Sequence, residues 1–443
     1  MKNILKKIPV LLLCFFVIIP INAEKSEREK RLEILDYGLD TEIISLLDTL
    51  EEEKNTEYND EIKQVFDSSR NIEIKNRILD FFGSVSSDLV KDFAISVIDD
   101  PYDYRQSTID AAYSYVKSLK IQEAAPLLRK LLDTENQEYQ KKSISLLGEI
   151  GGPDDAAYLA DYLSRSIDEG TRQEIVIALG KLQAVDTWQT LSDIVADEDE
   201  NTFTRMYAAE AIGKMNKSES VPVLAEAFLS ENPNLRQYAV KGLSYYNTPE
   251  AVNVILQGFR DSYYKVRIES AEAVKKQKIE EGIPFLIYRA SNDPETVVKT
   301  SAFRCLTVFS GNTEVSDFFK ESFLNEKNSD TIRIEAARGI IESDFSGSFS
   351  VVETWILENL GNSRFIKLIY EFTKLFSKKE STALEPLCKA YAESKDVILQ
   401  NFAMEMYTVN KFASVQPQIE VFAKNDQNPS LQKKAKKALG IED

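Results

Sequence analysis

The sequence predicts an all-α chain folded as an α-solenoid of about 12–13 antiparallel helix pairs, stacked one on the next. Three observations predict it. A basic residue followed by small or apolar residues at +3, +4, +6 and +7 recurs at a nearly constant interval. An apolar stripe of helical period precedes each recurrence. No stretch shows the valine-rich alternation of a strand, so essentially no sheet is expected.

The recurrence is clearest from the middle of the chain onward. Arg172, Arg205, Arg236, Arg267, Lys299 and Arg333 each begin a copy, at steps of 33, 31, 31, 32 and 34 residues. Arg205 leads Ala208, Ala209, Ala211 and Ile212; Arg267 leads Ser270, Ala271, Ala273 and Val274. A fixed period of this size marks stacked supersecondary units. One helix pair cannot bury its own apolar stripe, so neighbours share a continuous core. Weaker copies begin at Lys75, Arg105 and Gln140, and again at Gln400 and Gln432. A degenerate copy is expected near Ile366 and another near Glu42.

Each unit reads as two helices. The first is seen in "AAPLLRKLLD", "SVPVLAEAFLS", "AVNVILQGFRD" and "GIPFLIYRASND". Pro126, Pro222 and Pro284 stand near the starts of such helices, where a missing N–H costs little. Polar turns with Asp133, Asp199, Asp261 or Asp293 separate first from second helix. Gly148, Gly180 and Gly213 follow at +8 and are expected to end the second helices. The boundaries read from the sequence are 1–23 leader, 24–120 degenerate repeats, 121–343 regular repeats, and 344–443 degenerate repeats with a cap.

The stretches "VPVLAEAFLSENPNLRQYAVKGL", "DSYYKVRIESAEAV" and "DENTFTRMYAAEAIGKM" resemble HEAT-like repeats of the phycobilisome-lyase type. The resemblance is strong over about 121–343 and specific because it repeats. It implies a right-handed solenoid with the second helices lining the concave side. It does not imply lyase activity.

The N-terminus, "MKNILKKIPVLLLCFFVIIPINAEK", has Lys2, Lys6 and Lys7 ahead of an apolar run from Ile8 to Ile21, then small Ala23. That is the order of a cleavable secretory signal peptide, and the run is short for a bilayer span. The reading is export, most simply to a periplasm, with no membrane span in the mature chain. Cys14 sits inside the apolar run, which argues against lipidation there. The whole chain carries 54 basic and 72 acidic residues, a net of −18. Without the three leader lysines the net is −21. Such a surface repels nucleic acid. Cys305 and Cys388 fall in helical apolar patterns and read as small buried residues rather than a disulfide.

The Arg172, Arg205, Arg236, Arg267 and Arg333 ladder reads as structural. Each planar guanidinium is suited to bond turn carbonyls and a turn carboxylate of its own or the next unit. Positions +2 and +5 of the second helices face outward and differ between copies. They include Tyr207, Glu210, Tyr238, Lys241, Glu269 and Glu272, with Met206 beside Tyr207. Tyr207, Tyr238, Met206, Lys241 and Glu210 are therefore the candidate surface for a protein or peptide partner. The chain has no histidine. That removes the commonest general base and metal ligand, and with it the iron sites of HEAT-like hydroxylases. HEAT-like DNA glycosylases need a basic cleft that this acidic chain should lack. Acidic runs near Glu51 and at Ala196–Asn201 lack the ligand spacing of a calcium loop. No catalytic residue, metal or cofactor is expected. The expectation is an exported, non-enzymatic binding scaffold. Its rivals are a carboxylate enzyme acting on glycans and a spacer subunit of an envelope or motor assembly.

Overall fold

The computed structural model describes residues 25–165 and 167–441. The leader read at 1–23, including Cys14, lies outside them. Among the described residues there are twenty-six α-helices, five short 3-10 turns and no strand. They form two compact units, one ending at Glu135 and one beginning at Asn136.

In the first unit run α1 (Glu27–Tyr37), α2 (Asp40–Glu53), α3 (Asn59–Ser68), α4 (Ile72–Ser84), α5 (Lys91–Asp99), α6 (Gln106–Leu119) and α7 (Ala125–Leu132). The second unit opens with α8 (Gln137–Ile150), α9 (Pro153–Leu163), α10 (Glu169–Lys181), α11 (Trp188–Ala196), α12 (Thr202–Lys214) and α13 (Ser220–Ala227). It continues with α14 (Pro233–Leu243), α15 (Pro249–Gly258), α16 (Tyr264–Gln277), α17 (Ile283–Asn292), α18 (Thr296–Leu306), α19 (Thr313–Leu324) and α20 (Asp330–Ser343). Last come α21 (Phe345–Asn359), α22 (Ile366–Lys374), α23 (Glu385–Ala392), α24 (Val397–Asn410), α25 (Gln416–Ala423) and α26 (Pro429–Leu439). Odd helices are first members of pairs and even helices second members. The degenerate copy expected near Ile366 is α22, and the early copy near Glu42 is α2.

Eight of the thirteen second helices among the described residues start with one device. Four residues ahead of the anchor stands an N-cap: Asn71, Asn136, Asp168, Asn201, Asn232, Ser329, Asp396 or Asn428. Each side chain accepts a backbone N–H of the first turn, satisfying a donor that the helix itself leaves open. Where Tyr263 or Glu295 takes that place, no side-chain cap forms. Asp261 and Asp293, two residues earlier, then accept the N–H of Tyr263 (2.7 Å) and Glu295 (3.0 Å).

The glycines at +8 do not end helices, contrary to the expectation. Gly148, Gly180 and Gly213 lie inside α8, α10 and α12. They mark where one second helix touches the next. A Cβ on Gly180 would sit 2.8 Å from the Ala211 Cβ, and one on Gly213 would sit 2.5 Å from the Gly242 Cα. The left-handed helix ends fall later, at Gln183, Asn216 and Lys278, all non-glycine with φ near 50°. From α8 to α20, successive second helices pack on one another far more extensively than successive first helices do. That is the packing of a layer on the inner side of a bend.

Leucine, isoleucine, valine and phenylalanine fill the interior between layers. Cys305 and Cys388 are free and buried, as the sequence reading held. Burial pushes both thiols up to about 12, so they behave as small apolar groups. No helix among the described residues is long and apolar enough to cross a membrane.

Candidate functional site

The arginine ladder is built from one unit to the next. Arg267 is 5% exposed. Its Nε and Nη2 each donate to the Asp293 carboxylate at 2.8 Å. Its Nη1 donates to the carbonyls of Asp261 and Ser262 at 2.9 and 3.1 Å. Arg236 repeats this with Asp261 (2.7 and 2.9 Å) and the carbonyls of Ser230 and Glu231. Arg172 does so with Glu200 (2.8 Å) and the Leu163 carbonyl. The carboxylate thus comes from the next unit. Where an Asp stands six residues ahead of an anchor, it offers that anchor only its backbone oxygen, as Asp261 does to Arg267, or nothing, as at Asp199 and Asp293. Burial pushes Asp261 and Asp293 up, and the bonds from Arg236 and Arg267 more than reverse it. Both carboxyls lie below their ordinary value. A bidentate, charge-assisted pair of this kind offsets the cost of removing both charges from water.

Two rungs differ. Arg333 is buried, donates Nε to the Phe323 carbonyl at 2.8 Å, and faces the Trp355 ring at 4.5 Å. An aromatic face takes the place of the carboxylate there. Arg205 donates Nε to the Val195 carbonyl at 3.0 Å and forms no ion pair among the described residues. Lys299, the lysine of the series, reaches only the Ser291 carbonyl at 3.0 Å.

The outward ridge of the second helices is a connected surface. Tyr207 on α12 and Tyr238 on α14 meet edge to face, ring centres 5.9 Å apart at 80°. Both are half-buried. Lys241 Nζ lies 5.2 Å from the Tyr238 ring centre and 2.8 Å from Glu210 Oε2. Lys214 holds the other oxygen of Glu210 at 2.8 Å. Gln237 reaches Glu269 on α16 at 3.4 Å. Burial pushes Glu210 up, but the two ammoniums outweigh it and hold the carboxyl below its ordinary value. Burial also pushes Glu269 up, and there it prevails, with Glu210 and Glu272 adding to the rise, so this carboxyl lies above its ordinary value. The ridge runs on through Arg304, which holds Glu335 at 2.6 and 3.0 Å.

Met206 does not belong to this surface. It is 6% exposed. A helix turns about 100° per residue, and that single step carries the thioether off the ridge and into the packing. Tyr246, close by in the sequence, is likewise a buried strut, its hydroxyl donating to the Ile212 carbonyl at 2.8 Å. Tyr245 is half-buried, with Lys276 Nζ 3.1 Å from its ring centre. Sequence spacing could not have separated Tyr245 from Tyr246.

The acidic runs are tied to arginines. Asp48 and Glu51 hold Arg77, Glu53 holds Arg31, and Glu200 holds Arg172. Among the described residues no group of three His, Cys, Asp or Glu side chains is placed to hold a metal ion.

A profile of the spirochaete HEAT repeat protein family matches residues 35–438. The chain belongs to that family. The match runs well beyond 121–343, through both flanks whose copies are degenerate in sequence. No curated protein matches the chain. Among solved structures, the HEAT repeat chain is similar to the CpcE–CpcF complex of phycocyanin lyase from Nostoc, at 15% identity and a TM-score of 0.35. That likeness covers 53% of this chain and 94% of the other. It is similar to Kap95p, solved with RanGDP, at 11% identity and a TM-score of 0.47, covering 94% and 66%. It is similar to human deoxyhypusine hydroxylase at 15% identity and a TM-score of 0.27, covering 60% and 99%.

Proposed function

We propose that this HEAT repeat chain is a non-catalytic, extracytoplasmic scaffold that binds a protein or peptide partner along its second-helix ridge, centred on Tyr207 and Tyr238. The observation that carries the reading is the state of that ridge. Two tyrosines on successive units brace each other edge to face, and the charges around them are already paired. A partner covering them would bury aromatic area at little cost in side-chain entropy and would leave Glu210, Lys214 and Lys241 paired. Export rests on the order of lysines, apolar run and Ala23 at the N-terminus. The net negative charge directs the surface away from nucleic acid. A carboxylate enzyme is the second reading, favoured by the opposite displacements of Glu210 and Glu269.

The test is affinity capture from envelope and cytosolic fractions, comparing the native chain with Tyr207→Ala plus Tyr238→Ala. The proposal expects the chain in the envelope or periplasmic fraction and a partner recovered there by the native chain alone. Equal recovery by the double variant removes the tyrosine ridge, and residence in the cytosol removes the export reading. For the enzyme reading, glycan hydrolysis abolished by Glu269→Gln would be the supporting result.

A further inference from the structure

The ladder leaves one arginine open. At Arg172, Arg236 and Arg267 the next unit supplies Glu200, Asp261 or Asp293. These carboxylates stand five or six residues ahead of the following anchor. Ahead of Arg236 the same places hold Glu231 and Ser230. Ser230 Oγ accepts the Asn232 N–H at 3.1 Å. Glu231 is exposed and makes no ion pair with Arg205. Arg333 also lacks a carboxylate, but it is buried against the Trp355 ring, out of a partner's reach. Arg205 is not closed. It lines a groove of about 860 Å³ between α11 and α13, together with Val195, Pro222, Val223, Leu229 and Glu226. Leu229 is 69% exposed there.

We propose that Arg205 is an open rung, completed from outside the chain by an Asp or Glu side chain on a partner's extended segment. The neighbouring rungs show what this guanidinium position takes: a carboxylate, held by two donors of the fork. Pro222, Val223 and Leu229 give an apolar wall for a residue next to that acid. Glu198, Glu226 and Glu231 line the same groove. They favour basic flanks on the incoming segment and disfavour a multiply charged anion such as phosphate. The groove lies on the first-helix side, so this contact is additional to the tyrosine ridge and does not depend on it.

The probe is the peptide FRDSYYK, residues 259–265, whose Asp261 closes Arg236 within the chain. Acetylated, amidated and carrying a fluorophore, it has a single carboxylate. Its anisotropy is titrated against the full chain. The proposal expects saturable binding, weakened about tenfold or more when the peptide Asp is changed to Asn. Ser230→Asp, which supplies the missing carboxylate from within, should weaken binding to the same degree and raise the Tm. Arg205→Lys keeps the charge, loses the fork and should also weaken binding. Glu231→Gln should leave binding unchanged or tighter. Absence of saturable binding overturns the proposal, as does binding indifferent to the peptide Asp or to Ser230→Asp. Competition by inorganic phosphate at concentrations equal to the peptide's also overturns it, since it would mark a general anion site.

Discussion

Arg267 and Asp293 show how a surface-type residue pair becomes an interior one. Both side chains are nearly inaccessible, at 6% and 0%. Removing one partner leaves a buried charge with nothing to balance it. Asp293→Ala should therefore cost about 3–5 kcal/mol in urea denaturation. Glu123→Ala, which breaks the exposed pair with Lys91, should leave the midpoint unchanged. The acid side follows from the same bonds. Asp293 titrates lower in the folded chain than when unfolded. Its contribution is present above the unfolded carboxyl value and is lost as pH falls through the lower folded value. Glu269 has the opposite sign. Its folded value is raised by burial, so its charged form opposes folding once pH exceeds the unfolded value. Glu269→Gln should raise the Tm at pH 7 and leave it unchanged below the unfolded carboxyl value. At this scale the sequence revealed the arginines by their spacing. It could not assign their partners, because an Asp six residues ahead of its own arginine and an Asp belonging to the next unit are the same residue in a repeat.

Helices set the second scale, and here the expectations divided. The period located every second helix, including the degenerate α22, because apolar spacing survives when the anchor is lost. The glycines were misread. A glycine near a helix end signals a C-terminal turn or a close approach equally well, and only the neighbouring helix decides. Gly213 opposite Gly242 leaves no room for a methyl group. Gly213→Ala should destabilise by about 1–3 kcal/mol despite the better helix propensity of alanine. Thermal unfolding measures it. The cap four residues ahead of eight anchors was a legible signal that the anchor pattern passed over. Asn201 accepts the N–H groups of Phe203 and Thr204, and Asn201→Ala should cost about 1 kcal/mol. Met206 was misplaced for a simpler reason. Adjacency in sequence is not adjacency on a helix face, and the ridge runs at i, i+3 spacing through Tyr207 and Glu210.

For the whole molecule, repetition separates what the fold needs from what a partner reads. Residues that recur, such as Arg236, Arg267 and the small residues at +3 and +4, hold one unit to the next. Residues that vary between copies are free to serve contact: Tyr207, Tyr238, Lys241, Glu269, and the exceptional Ser230 beside Arg205. Because each unit touches mainly its neighbours, a change at one ridge position should leave distant units intact. That makes the ridge testable without loss of the fold. The most direct measurement is site-specific photocrosslinking in intact cells, with a photoreactive aromatic residue at Tyr207 or Tyr238 and a control at exposed Glu250 on the first-helix side. The account predicts one defined protein partner crosslinked from Tyr207 and Tyr238 and not from Glu250. Equal crosslinking from all three positions, or none from the two tyrosines while Glu250 captures a partner, would contradict it.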